Sequence, residues 1–303
     1  MAWQNTVEMR LLIFAVLTAT AFAQPLPSVK SVIIFGVDGL GANVLRSSAP
    51  PSFRSFQQES AFSLHARGVM PTVTFPNFGS MVSGAGPEQH GITSNNWRPN
   101  RFDIAPTCQG RSGHFPTVFG LMRDQKPELK SALFFDGGEG FPWIVEDGAA
   151  DKVGIGQGAD ATMSLALDYI KANRPALVFL HVDLLDHAGH TYGWESPEYA
   201  QALLHCGELL ARLMGELRDA GLLSSTAILI SADHGGIGKR HGGLTMTEIE
   251  IPWLLYGPGV AKGKELTVPI NTYDTAATVA SILGIKPSPC WLGRAVTEAV
   301  EKR

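Results

Sequence analysis

Three stretches of the chain share one pattern, a short apolar or β-branched run that stops at an aspartate. Val32 to Val37 leads into Asp38-Gly39. Ala176 to Val182 leads into Asp183 and then Asp186-His187-Ala188-Gly189-His190. Thr226 to Ser231 leads into Asp233-His234-Gly235-Gly236. Runs without strict apolar/polar alternation fit strands buried on both faces, as in a parallel sheet. Helical spacing lies between them. Ser196-Pro197-Glu198 reads as a cap and first turn for a helix carrying Tyr199, Leu203, Cys206, Leu210, Leu213 and Leu217 and ending at Gly221. Asp160 to Ala172 has helical composition, and Asp274 to Leu283 follows a cap-like Asn271-Thr272 and precedes Gly284.

Strands alternating with helices predict an α/β, doubly wound, mostly parallel sheet flanked by helices. In such folds ligands bind beyond the carboxyl ends of the strands. All three aspartate clusters fall at that edge, so distant parts of the sequence are expected to converge on one pocket. Residues 97–148 lack clean periodicity and are rich in Gly, Pro and aromatics, which predicts a small cap or loop region over the site. Gly154-x-Gly156-x-Gly158 has neither a preceding strand signal nor dinucleotide spacing and is read as loop.

The amino terminus stands apart. Leu11 to Phe22 is a nearly unbroken apolar run, with only Glu8 and Arg10 charged before Lys30, and Ala21-Phe22-Ala23 has a small-x-small form. The run is shorter than the ~18 apolar residues of a spanning helix, so residues 1–23 are expected to be a signal peptide and 24–303 a single exported domain. No later segment is apolar enough to span a bilayer. The three cysteines, Cys108, Cys206 and Cys290, allow at most one disulfide and leave one thiol over. The chain has no Asn-x-Ser/Thr sequon, which leans towards a bacterial periplasm within the wider expectation of a secreted or periplasmic protein.

Composition narrows the function classes. The net charge is −4, from 24 Lys and Arg against 28 Asp and Glu, so there is no basic field for a nucleic-acid polymer. Apolar residues at 45% and charged ones at 17% exclude wholesale disorder. Nine histidines matter more, because several adjoin the strand-end aspartates. Neutral imidazoles and carboxylates together suit zinc, and mixed sets also accept manganese. One Asp–His pair at a strand end is usually a cap or a satisfied core group; several at equivalent strand ends point to two divalent ions. Spacing leaves one choice open, since Asp183-x3-His187 and Asp186-x3-His190 are equivalent.

These residues carry a family resemblance. Pro71-Thr72-Val73-Thr74-Phe75-Pro76-Asn77, followed by Ser83-Gly84-Ala85-Gly86-Pro87-Glu88-Gln89-His90-Gly91-Ile92, resembles the nucleophile region of the nucleotide pyrophosphatase/phosphodiesterase branch of the alkaline phosphatase superfamily. Val37-Asp38-Gly39, Asp186-His187-Ala188-Gly189-His190-Thr191-Tyr192-Gly193, Asp233-His234-Gly235 and His241-Gly242-Gly243 are similar to its metal motifs, in order, so the resemblance runs from about residue 30 to 285. It implies an alkaline-phosphatase-like fold and selects Asp186 and His190 over Asp183 and His187. By the same resemblance, Asp186, His190 and His241 hold one zinc, while Asp38, Asp233, His234 and Thr74 hold the other. Thr74 is the implied nucleophile, forming a covalent phospho-threonine intermediate. Asn95 is the implied amide donor to a phosphate oxygen, and Phe75 the ring that meets a nucleobase. Asp183 and His187 are either partners that orient the ligands or plain strand-end hydrogen bonders.

The implied activity is metal-dependent hydrolysis of phosphodiester or pyrophosphate bonds in small nucleotide-type substrates. The alternative is a phosphomonoesterase or phosphonate hydrolase on the same two-metal core, with Lys239 and Arg240 beside His241 as candidate cations for a third phosphoryl oxygen. Val73 and Phe78 depart from the branch, which often has Lys and His there, and are expected to change the pocket wall. A sulfatase would need Cys or Ser in a Cys/Ser-x-Pro-x-Arg context, which Thr74-Phe75-Pro76-Asn77-Phe78 does not offer.

Overall fold

The computed structural model describes residues 26, 28–101, 103–138 and 140–301; the signal peptide expected over 1–23 lies outside them. Eight strands form one sheet: β1 (Ser31–Val37), β2 (Ala61–Arg67), β3 (Ser131–Asp136), β4 (Lys152–Gly156), β5 (Leu177–Val182), β6 (Thr226–Ser231), β7 (Glu250–Tyr256) and β8 (Lys264–Glu265). Their order is β4-β3-β5-β1-β6-β7-β2-β8. The five strands from β4 to β6 are parallel, β7 runs antiparallel to β6 and β2, and β8 is parallel to β2. The three strands read from apolar runs, β1, β5 and β6, sit side by side in the middle of the sheet, and their apolar side chains are fully buried. Burial on both faces is why they lack alternation.

Helices cover the sheet in two layers. Ala159–Asn173, Pro197–Asp219 and Pro51–Gln58 pack together, and Thr74–Ser83, Val118–Gln125 and Asp274–Leu283 form the second group. Ser196 caps Pro197–Asp219 by accepting a hydrogen bond from the Tyr199 N–H at 3.1 Å. The helix Asp274–Leu283 spans the predicted residues, but Tyr273 rather than Asn271-Thr272 occupies the cap position. There the Asp274 carboxylate accepts from the N–H groups of Asn271 and Arg294, both at 2.8 Å, and ties the helix start to the chain's last segment.

Two readings are corrected. Residues 97–148 are not wholly cap or loop, because 118–125 form a helix and 131–136 form β3, buried along its length inside the sheet. The Gly154 segment is an edge strand, β4, rather than loop. A side chain at Gly154 would press to 2.7 Å from the Phe134 ring, so glycine there lets the edge strand close on β3. Cys108 and Cys290 form a disulfide with 6.4 Å between their Cα atoms, and Cys206 remains a buried thiol. The bond fastens the loop around residue 108 to the C-terminal segment.

β2 lies antiparallel to β7, which is itself antiparallel to β6. β2 therefore leaves the sheet at the same edge as β1, β5 and β6. The segments carrying Asp38, Thr74, Asp186 and Asp233 all emerge there.

Candidate metal centre

Asp38 directly follows β1, and its N–H bonds Val182 O at 3.0 Å, extending the β1–β5 pairing by one step. Gly39 then turns with φ +74°, and its N–H donates to Asp233 Oδ1 at 3.1 Å, tying the ends of β1 and β6 together. A Cβ at Gly39 would lie 2.9 Å from the Asp186 backbone, so this glycine is needed both for its φ and for the close approach. Its carbonyl accepts from Trp194 Nε1 at 2.9 Å and from the Tyr199 hydroxyl at 2.8 Å.

Asp186 and His190 share one face of the helix Leu184–Tyr192, four residues apart, with 3.5 Å between Oδ2 and Nε2. His241 Nε2 is 3.7 Å from Asp186 Oδ1, and the His241 ring stacks on His234 at 3.6 Å between centroids. His234 Nε2 is 3.6 Å from Asp38 Oδ1 and 3.0 Å from Asp233 Oδ2.

The three histidines are oriented alike. Nδ1 of His190 faces Lys239 O at 3.1 Å, Nδ1 of His234 faces Gly235 O at 3.0 Å, and Nδ1 of His241 faces Thr72 O at 2.8 Å. A carbonyl only accepts, so each Nδ1 carries a proton, and in the neutral ring each Nε2 is left with a lone pair on the carboxylate side; against the effect of burial, the adjacent Asp233 raises the His234 pKa while no cation is bound. Asp38 Oδ1, Asp186 Oδ1, Asp233 Oδ2 and His234 Nε2 are buried without a hydrogen-bond partner. Asp233 Oδ2 and His234 Nε2 lie 3.0 Å apart without hydrogen-bond alignment. Buried polar atoms without partners are expensive and rare, and a cluster of them fits ligands for a cation.

The electrostatics agree. Burial, reinforced by Asp233 and Asp186, pushes the Asp38 carboxyl well above the usual carboxylate range. Burial also raises Asp186. Asp183 is pushed up to about 7 by burial and by Asp186 and Asp136. Burial would raise Asp233 too, but His234 and the Gly39 N–H outweigh it and hold that carboxyl low. His241 is lowered by burial and by the adjacent His234. Such acid crowding favours divalent cations.

Three groups among the described residues bring ligand atoms within 4.8 Å of one another: Asp186, His190 and His241; Asp38, Asp186 and His234; and Asp38, His181 and Asp183. Of the two equivalent spacings, Asp186–His190 shares a group, whereas His187 enters none and is exposed. Asp183 sits at the start of the helix Leu184–Tyr192.

Thr74 opens the helix Thr74–Ser83 and is mostly buried. The preceding turn is docked on the His241 loop, with Thr72 Oγ1 donating to Gly243 O at 2.9 Å. Asn77 braces this turn from within: its Nδ2 donates to Val69, Pro71 and Val73 carbonyls and its Oδ1 accepts from the Val69 N–H. Asn95 Oδ1 accepts from the Phe75 N–H at 2.9 Å, which leaves the Asn95 amide nitrogen as the donor end of the side chain. The Phe75 ring meets Phe141 edge-on at 5.4 Å. Phe78 is not part of a pocket wall, because it is fully buried against Phe141, Phe179 and His181. Lys239 Nζ donates to Thr191 O at 2.8 Å.

Sequence reasoning missed Asn77, Trp194, Tyr199 and His181. His181 left a signal, as the single polar residue inside the otherwise apolar run of β5.

A family model described as type I phosphodiesterase/nucleotide pyrophosphatase matches residues 32–239, a span that stops two residues short of His241. Ectonucleotide pyrophosphatase/phosphodiesterase family member 3 of Rattus norvegicus is 28% identical over 216 residues, covering 67% of this chain and 24% of its own length. Venom phosphodiesterase CdcPDE of Crotalus durissus collilineatus is 29% identical over 217 residues, covering 67% and 26%. The chain thus spans about a quarter of the length of these relatives. Murine ectonucleotide pyrophosphatase/phosphodiesterase 5, in an inactive form complexed with AMP, superposes with a TM-score of 0.74 at 14% identity, covering 90% of this chain and 100% of that one. A 2-O GAG sulfatase superposes with a TM-score of 0.71 at 13% identity, covering 90% and 74%. These structural likenesses show the alkaline-phosphatase-like fold.

Proposed function

The chain belongs to the type I phosphodiesterase/nucleotide pyrophosphatase family, and from that premise we propose that it hydrolyses phosphodiester or pyrophosphate bonds of small nucleotide-type substrates with Thr74 as nucleophile. The observation that carries this reading is the convergence of three histidine Nε2 atoms and three aspartates, Asp38 and Asp233 fully buried and Asp186 half-buried, beside the Thr74 turn. Asp186, His190 and His241 would hold one divalent ion, and Asp38, Asp233, His234 and the Thr74 hydroxyl the other, with zinc best matched by the mixed imidazole–carboxylate set. When bound, such ions supply Lewis-acid charge and lower the pKa of a neighbouring hydroxyl.

The residues then divide the work. Thr74 Oγ gives up its proton to solvent and attacks phosphorus, forming the Oγ–P bond as the bond to the leaving oxygen breaks and that oxygen departs as an anion or takes up a proton from solvent. Water then cleaves the phospho-threonine intermediate and restores the hydroxyl. Asn95, held by the Phe75 N–H, offers its amide nitrogen to a non-bridging phosphate oxygen. Phe75, backed by Phe141, offers an aromatic face to a nucleobase. We infer one catalytic domain from residue 24 onward and export from the cytoplasm, which the Cys108–Cys290 disulfide supports. No helix among the described residues is long and apolar enough to cross a membrane.

The test is hydrolysis of bis-p-nitrophenyl phosphate against p-nitrophenyl phosphate, before and after chelation and in Thr74→Ala. Diester hydrolysis lost on chelation, restored by zinc and abolished in the variant is the expected result. Activity indifferent to both would refute the reading, and a strong monoester preference would favour the phosphatase alternative.

A further inference from the structure

His181 lies next to the end of β5 and is fully buried. Its Nε2 is 3.1 Å from Asp38 Oδ2. Three phenylalanines enclose the ring: Phe141 at 4.0 Å, Phe78 edge-on at 5.2 Å and Phe135 at 6.1 Å between centroids. An imidazole in such an apolar box stays neutral, and one nitrogen must carry its only proton. Facing a carboxylate oxygen, that nitrogen is Nε2.

The consequence falls on Asp38. One of its oxygens, Oδ2, is taken by His181, while the other, Oδ1, has no hydrogen-bond partner and faces His234 Nε2 at 3.6 Å. Oδ1 is therefore the oxygen left free of hydrogen bonds for whatever sits between Asp38, Asp233 and His234, while Oδ2 is engaged by His181. The phenylalanine box prevents His181 from turning away, so the choice of oxygen is built into the core packing. Phe78, which departs from the family pattern, is one wall of that box.

We propose that His181 is a positioning residue that fixes Asp38 as a one-oxygen metal ligand through an Nε2–H···Oδ2 hydrogen bond. The proposal rests on the two-ion reading of the centre. Hydrogen bonds to metal-bound carboxylates orient the ligand, and their loss weakens metal affinity by about 10–100-fold.

The experiment measures zinc affinity and stoichiometry by competition with a chromogenic chelator for wild type, His181→Leu and His181→Gln, together with the melting temperature of each metal-free protein. Glutamine can place a neutral N–H donor near the position of Nε2, whereas leucine fills the box without a donor. The expected result is two ions in wild type, one of them bound about 10–100-fold more weakly in His181→Leu, and substantial recovery in His181→Gln. Metal-free melting temperatures close to wild type would separate this from lost packing. Equal affinities in all three proteins overturn the proposal, as does a glutamine variant no better than leucine. A third tightly bound ion in wild type, lost in both variants, overturns it by making His181 a ligand. If wild type binds no divalent ion at all, the two-ion reading fails and the proposal falls with it.

Discussion

Replacing Asp183 with asparagine should stabilise the metal-free protein, and only above mildly acidic pH. Burial and the neighbouring acids Asp186 and Asp136 raise this carboxyl from an ordinary 3.8 to about 7. The unfolded chain therefore releases this proton near pH 4, while the folded protein holds it until about pH 7. Between those values the unfolded state binds fewer protons, so folding stability falls as pH rises, and the full penalty is present above pH 7. At about 1.4 kcal/mol per pH unit, the interval sets a ceiling of about 4 kcal/mol. Partial solvent contact and shared protons among the acids bring the expected value to about 2 kcal/mol. For a chain of this size that corresponds to roughly 4 °C in melting temperature. The assay is a series of thermal melts of chelator-treated wild type and Asp183→Asn from pH 4 to pH 8. The variant should match wild type at pH 4 and exceed it at pH 8, and added zinc should shrink the difference by neutralising the cluster. A gain that is the same at both pH values, or a loss at pH 8, would refute the view that crowded acids at this edge await a cation.

Other consequences can be checked with simple variants. Asn77→Ala removes four hydrogen bonds around residues 69–73 and leaves carbonyls without donors; denaturant melts should show a loss of about 2–3 kcal/mol, with reduced turnover because Thr74 follows that turn. Asn95→Ala should lower kcat about 10–100-fold for any phosphate diester without emptying the metal sites, which steady-state kinetics and metal analysis together would show. Cys108→Ser removes a cross-link closing 182 residues of chain; the chain-entropy ceiling is about 5 kcal/mol, and a drop in melting temperature that reducing agent reproduces in wild type is the expected outcome.

What the sequence revealed depended on how each element meets solvent. β1, β5 and β6 were legible because they are buried on both faces and end at charged residues. β3 was hidden by the irregular, glycine-rich segment that follows it, and β4 by its glycines and exposed edge position. The helix Pro197–Asp219 announced itself through its cap and apolar stripe. Asp186 and His190 could be separated from Asp183 and His187 only through the family motif, since identical spacings carry identical local information. The cysteine count limited the chain to one disulfide but could not pair it, because pairing depends on a contact between residues 182 apart. His181 and Asn77 act through contacts across the fold, and no local spacing encodes those.

The central claim is that Thr74 attacks phosphorus at a two-metal centre. Rapid acid quenching of the zinc-loaded protein during turnover, followed by peptide mass analysis, tests it most directly. A phosphoryl adduct on the peptide containing Thr74, absent in Thr74→Ala and absent after chelation, is the predicted result. Full turnover with no adduct at Thr74, or an adduct on another residue, would contradict the account.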